Sequence, residues 1–111
     1  MKVTVVRVRV PTEDREAVVK SIQRVLEPTR VESGCLGMQC GCDIEDENAL
    51  VIIERWATQE DLEQHIRSDQ YRVILSVLES SSEDPEVQFH EVSGTAGMEV
   101  IFETRGQARN M

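Results

Sequence analysis

The chain has 111 residues, of which 40% are hydrophobic and 30% charged, a composition that predicts one globular domain and excludes a disordered chain. Its formal net charge is −9, from 21 acidic and 12 basic residues, and no run of Lys or Arg interrupts this excess. Nucleic acid and anionic membrane surfaces would be repelled, so neither is predicted as a partner.

Targeting and metal signals are weak. No segment approaches the roughly 20 apolar residues of a membrane span. The N-terminal stretch "MKVTVVRVRV" is too short and too charged for a signal peptide, which predicts a cytoplasmic protein. Three cysteines in the pattern Cys-x4-Cys-x-Cys do not match a zinc spacing, so no metal site is predicted and the thiols are expected to stay reduced.

The first predicted strand spans residues 2–10, and its side chains divide between two faces. One face carries Thr4, Val6, Val8 and Val10; the other carries Val3, Val5, Arg7 and Arg9. A helix is predicted from residue 12, because apolar residues then recur at helical spacing. Pro28 is expected to kink or end this helix.

Two strands follow and form a predicted hairpin around residues 45–48. On the second strand, Cys40 and Cys42 share one face with the apolar residues Leu36 and Met38, so both thiols are expected to be buried. The third strand, residues 49–56, is apolar on both faces as far as Glu54, which predicts that both faces are covered.

Thr58, with Asp61 three residues later, predicts the start of a second helical region. Its apolar stripe includes His65, and Ser68-Asp69 indicates a second cap within it. A fourth strand is predicted at residues 86–92 and a short fifth strand at 98–104. We therefore expect a domain over residues 1–95, followed by a C-terminal strand extension and tail over 96–111.

The order β-α-β-β-α-β predicts an α+β, ferredoxin-like fold with an antiparallel sheet and its helices on one face. The other sheet face then needs a cover. A second copy of the chain would supply it, so a homodimer closing into an α+β barrel is expected.

Residues 25–75 resemble the antibiotic biosynthesis monooxygenase-like family of dimeric α+β barrels. Three motifs carry the resemblance. They are the turn Glu32-Ser33-Gly34-Cys35-Leu36, the pair Glu54-x-Trp56, and the helical set Leu62-x-x-His65-x-x-Ser68 followed by Tyr71.

The resemblance implies a homodimer with a pocket between sheet and helices in each subunit. Some members of the family oxygenate quinols or polycyclic phenols with dioxygen and without metal or flavin. Of the branches of this family, the haem-degrading one resembles this chain least. Arg7, His65 and Leu75 stand where that branch carries an Asn, a Trp and its iron-ligating His, respectively. No cofactor is therefore predicted.

His65 is the predicted catalytic residue. A cofactor-free oxygenase must first form a phenolate or enolate, and an imidazole suits that proton abstraction. The alternative is a core histidine hydrogen-bonded to a backbone carbonyl or to Glu54.

Six further residues are predicted to bind substrate, each with a structural alternative. Trp56 and Tyr71 are predicted pocket walls that could instead be core. Glu54 matters only if it is buried, because a buried carboxylate needs a partner. Arg7 and Arg9 could hold an anion or form interfacial salt bridges, and Gln39, between Gly37 and Gly41, could line a pocket floor or a closely packed strand.

The leading prediction is a cofactor-independent monooxygenase that oxidises a quinol or polycyclic phenol, with a small aromatic ligand as partner. One alternative is a non-catalytic dimeric module that binds a small metabolite, because no catalytic constellation is complete on chemical grounds and the fold is widely reused. Another is an isomerase of a small signalling metabolite, in which His65 moves a proton without oxygen.

Overall fold

The structure is a computed structural model that describes residues 1–107. Its elements, in chain order, are β1 (Lys2–Arg9), α1 (Thr12–Arg30), β2 (Cys35–Asp43), β3 (Asp46–Trp56), α2 (Gln59–Ile66), α3 (Tyr71–Glu79), β4 (Glu86–Glu91) and α4 (Glu99–Arg105). No helix within those residues is long and apolar enough to cross a membrane.

The four strands form one antiparallel sheet in the order β2-β3-β1-β4. β1 therefore lies between β3 and β4, and the hairpin partner β2 forms one edge. This is the predicted ferredoxin-like α+β fold. The registers set Val6 opposite Ile52 and Met38 opposite Glu54, so these residues share one sheet face.

The valine face of β1 packs under the helices, as its alternation predicts. Val6, Val8 and Val10 are at most 2% exposed. On α1 the buried positions are Val18, Ile22, Val25 and Thr29. The core thus lies between one face of the sheet and α1 and α3.

The opposite face of the sheet is not covered by any helix of residues 1–107. Val3, Val5 and Val51 are half-buried there, and Ile53 is 37% exposed. The prediction that both faces of β3 are covered is therefore met on one face only within a single chain.

On α1 and β2, the structure corrects one prediction and one of two stated alternatives. Pro28 does not end α1, which runs on to Arg30. Cys40 and Cys42 are exposed, which corrects their predicted burial. Because β2 is an edge strand, α1 covers its residue Met38 and leaves the two thiols at the rim.

The predicted strand at residues 98–104 is also wrong, since Glu99–Arg105 form α4. The Glu99 carboxylate accepts the Gly97 N–H at 2.9 Å at the start of the helix. Gly106 ends the helix in the left-handed region at φ 68°, and the Gln107 N–H donates to the Phe102 carbonyl. Residues 108–111 of the predicted tail lie outside the described residues.

Gly34 sits in the turn between α1 and β2 at φ 79°, and a Cβ atom there would overlap the Asp61 side chain. We expect Gly34→Ala to lower the free energy of unfolding by about 1–3 kcal/mol, the usual range for backbone strain. Urea unfolding measures this. Gly41→Ala is the matched control, because nothing lies within 4 Å of its added Cβ; an equal loss in both variants would contradict the explanation.

Candidate functional site

His65 is held in the interior by the helix that carries it. Thr58 caps α2 as predicted, with its hydroxyl accepting the Asp61 N–H at 3.1 Å. Leu62 and His65, three residues apart, then face the sheet, and His65 is 1% exposed.

Both ring nitrogens of His65 contact carboxylates. Nδ1 lies 3.0 and 3.1 Å from the two carboxylate oxygens of Glu32, in the turn after α1. Nε2 lies 3.3 Å from the carboxylate of Glu54 on β3. The side chain of Glu54 is 3% exposed, so this carboxylate is buried and paired, the condition under which it matters.

Two aromatic residues enclose the same imidazole. The Trp56 ring stacks on it at 4.6 Å between centroids, and Tyr71 meets it edge-on at 5.3 Å. The Trp56 Nε1–H also donates to Glu54 at 3.1 Å. Four predicted site residues therefore lie together with Glu32 in one cluster, called here the His65 cluster: His65, Glu54, Trp56 and Tyr71.

The charges of this cluster favour a protonated His65. Burial alone would lower the pKa of His65, but the hydrogen bond and charge of Glu54, and then those of Glu32, raise it above 6.5. Burial and the Glu54 charge also raise the pKa of Tyr71, so its hydroxyl keeps its proton at neutral pH.

The stability of the chain should depend on pH through His65. A histidine whose pKa is raised on folding stabilises the fold fully below its unfolded value of about 6.5 and loses that effect as pH rises through the folded pKa. The measured quantity is the difference in free energy of unfolding between the wild type and His65→Gln. We expect this difference to shrink as pH rises above 6.5. Urea unfolding at several pH values measures this, and a constant difference would contradict a charged His65.

The other three predicted site residues lie elsewhere. Arg7 and Arg9 project from the uncovered sheet face, where they pair with Asp43 at 3.1 Å and with Asp46 at 2.8 Å. Gln39 is exposed on that same face, opposite Ile53. None of the three contacts His65.

Glu32 is the site residue that sequence reasoning did not select as a functional group. In the sequence it belongs to a turn motif, and its contact with His65 spans 33 positions of the chain. Its position just before Gly34 was the available signal, because that glycine turn directs the chain from α1 back under α2.

Thr4 adds an unpaired polar atom beside the cluster. It lies directly opposite Glu54 on β1, is 3% exposed, and its Oγ1 has no hydrogen-bond partner within residues 1–107. Buried hydroxyls are normally paired, so this hydroxyl is an available hydrogen-bonding group next to Glu54.

Two grooves along α1 and β2 lie away from His65. A groove of about 480 Å³ and a neighbouring one of about 240 Å³ run between α1 and β2, sharing Leu26, Cys40, Gly41 and Cys42. Neither includes a residue of the His65 cluster. Within residues 1–107, no group of three or more His, Cys, Asp and Glu side chains is arranged to hold a metal ion.

The fold agrees with the class of protein found by comparison. The sequence profile described as antibiotic biosynthesis monooxygenase matches residues 1–76. The chain belongs to this family, which confirms the resemblance carried by its motifs. No curated protein matches the sequence.

Solved structures of other proteins share the fold. A crystal structure of an antibiotic biosynthesis monooxygenase is 21% identical with a TM-score of 0.76, covering 85% of this chain and 100% of the other. A candidate member from Nitrosomonas europaea is 20% identical, with the same TM-score and coverage. Another from Deinococcus radiodurans is 16% identical with a TM-score of 0.79, covering 87% and 97%. At these identities the likeness extends to the fold alone.

Proposed function

We propose that the protein is a cofactor-independent monooxygenase that oxidises a quinol or polycyclic phenol with dioxygen. The observation that carries the proposal is the hydrogen-bonded set Glu32, His65 and Glu54, in which the imidazole and the Glu54 carboxylate are buried. Carboxylates contact both ring nitrogens of His65, so the set offers several sites that can accept a proton from a substrate hydroxyl.

The first step needs only the residues of this cluster. A phenolic O–H bond breaks, its proton enters the carboxylate–imidazole set, and an electron-rich phenolate remains to react with dioxygen. Because the three groups are coupled, the proton acceptor is the set and not one atom. The orphaned Thr4 hydroxyl would donate to the phenolate oxygen, and Trp56 and Tyr71 would wall the ring.

A homodimer is part of the proposal. Val3, Val5, Val51 and Ile53 form an apolar centre on the uncovered sheet face, and apolar patches of this kind mark association sites. A second copy would cover them, and the salt bridges of Arg7 and Arg9 would lie at the rim of that interface.

Dioxygen uptake by metal-stripped, flavin-free protein over a panel of quinols and polycyclic phenols tests this function. His65→Gln should reduce uptake while the dimer stays intact. Gln64→Ala, on the exposed side of α2, should not change it. Uptake by His65→Gln equal to that of the wild type would refute the role of the cluster.

A second function is favoured by a different observation. His65 is 1% exposed with both ring nitrogens paired, and the grooves along α1 and β2 do not reach it. A non-catalytic module that binds a small metabolite in those grooves would fit this arrangement. Saturable ligand binding without turnover across the panel would select it.

A further inference from the structure

Solvent exposure differs sharply among the three charged members of the His65 cluster. The side chains of His65 and Glu54 are 1% and 3% exposed, whereas that of Glu32 is 21% exposed. Glu32 is thus the member that contacts both the buried imidazole and water.

The contacts on the imidazole leave one short hydrogen-bonded route from its ring nitrogens to solvent. On the inner side, Nε2 faces Glu54, whose carboxylate is held by the Trp56 indole N–H. Tyr71 closes one edge of the ring and keeps its own proton. On the outer side, Nδ1 faces both oxygens of Glu32 at 3.0 and 3.1 Å, within the range for proton transfer along a hydrogen bond.

We infer that Glu32 is the group through which the buried His65 exchanges its proton with solvent. The Nδ1–H bond breaks as the proton moves to a Glu32 carboxylate oxygen, and the carboxylic acid so formed releases that proton to water. The reverse sequence returns a proton to the ring.

The catalytic use of this route rests on the proposed function. When a phenolic proton enters the cluster, one proton leaves at Nδ1 through Glu32, which restores the net charge for the next turnover. Glu32 is then a positioning residue that acts through His65 and does not touch the substrate.

The inference is tested on the full chain without any substrate, by nitrogen-15 NMR of labelled histidine. The exchange rate of the His65 ring proton with water is measured, with His90 as an internal exposed reference. Glu32→Gln keeps a hydrogen-bond acceptor for Nδ1 and removes the proton-accepting carboxylate. We expect exchange to slow by about a hundredfold, the lower end of what a positioned acid–base group contributes.

The matched control is Glu27→Gln, which removes an exposed carboxylate five residues earlier, paired with Arg30 and not with His65. Its exchange rate should equal that of the wild type. In Glu32→Ala, added formate should restore exchange and chloride at equal ionic strength should not. A role confined to holding the ring in place would give no such rescue.

Three outcomes would overturn the inference: wild-type exchange in Glu32→Gln, rescue by chloride, or no rescue by formate. The fluorescence of Trp56, the single tryptophan, reports whether each variant keeps the cluster folded. Absence of dioxygen uptake would refute the oxygenase proposal and leave the exchange result unaffected, so the two failures are distinguishable.

Discussion

Replacing His65 with alanine is expected to lower the free energy of unfolding by about 3–5 kcal/mol, the cost of removing one partner from a buried ion pair. The variant leaves Glu54, which is 2% exposed, without the cation that offsets its desolvation. It also opens a void against the stacked Trp56 ring. Urea unfolding followed by circular dichroism at pH 6.5 gives the value.

The control for this measurement is Gln64→Ala, one residue earlier on the exposed side of α2. A surface change of this kind should stay within about 0.5 kcal/mol of the wild type. If His65→Ala costs no more than the control, the Glu54 carboxylate must be hydrated or paired elsewhere. That result would contradict the assignment of His65 as the charged partner of Glu54.

Trp56→Ala is expected to lower the free energy of unfolding by a similar amount, about 3–5 kcal/mol, as other truncations of large aromatic residues in a core do. Trp56 is fully buried, stacks on His65, and donates its indole N–H to Glu54. Trp56→Phe keeps a ring and removes the donor, so it should cost less. Thermal and guanidinium unfolding followed by circular dichroism measure both variants.

Coupling distinguishes a cluster from a set of separate contacts. Since Trp56 and His65 share Glu54, the double variant should lose less stability than the two single losses added together. The control is Val31→Ala, at a residue that is 81% exposed. Its loss of stability should simply add to that of His65→Ala in the double variant. Additivity of the Trp56 and His65 losses would show that the two side chains act independently.

Local periodicity predicted most of the fold. The alternation along β1 correctly assigned its buried face, and the Thr58 cap located α2. The C-terminal helix was missed because Met98, Val100 and Phe102 also satisfy a strand period. The decisive signal was Gly106, a glycine that ends a helix, and not hydrophobicity.

Only part of the site was predicted, because one of its residues lies far from the others along the chain. Glu54, Trp56, His65 and Tyr71 lie within 18 positions, and strand and helix periods direct them inward together. Glu32 joins them only through the α1–β2 turn, which periodicity does not describe. Arg7 and Arg9 were correctly assigned to the face of β1 that does not pack under the helices, but that face is on the opposite side of the sheet from His65.

Arg30 has a consequence for the behaviour of the protein in concentrated solution. Its guanidinium donates to the outward carbonyl of Met38 at 3.0 and 3.2 Å, on the edge strand β2. Unpaired carbonyls on such an edge are the template for strand addition and fibre growth. Arg30 occupies this one carbonyl with a charged group, so we expect strand addition at this point of the edge to be disfavoured.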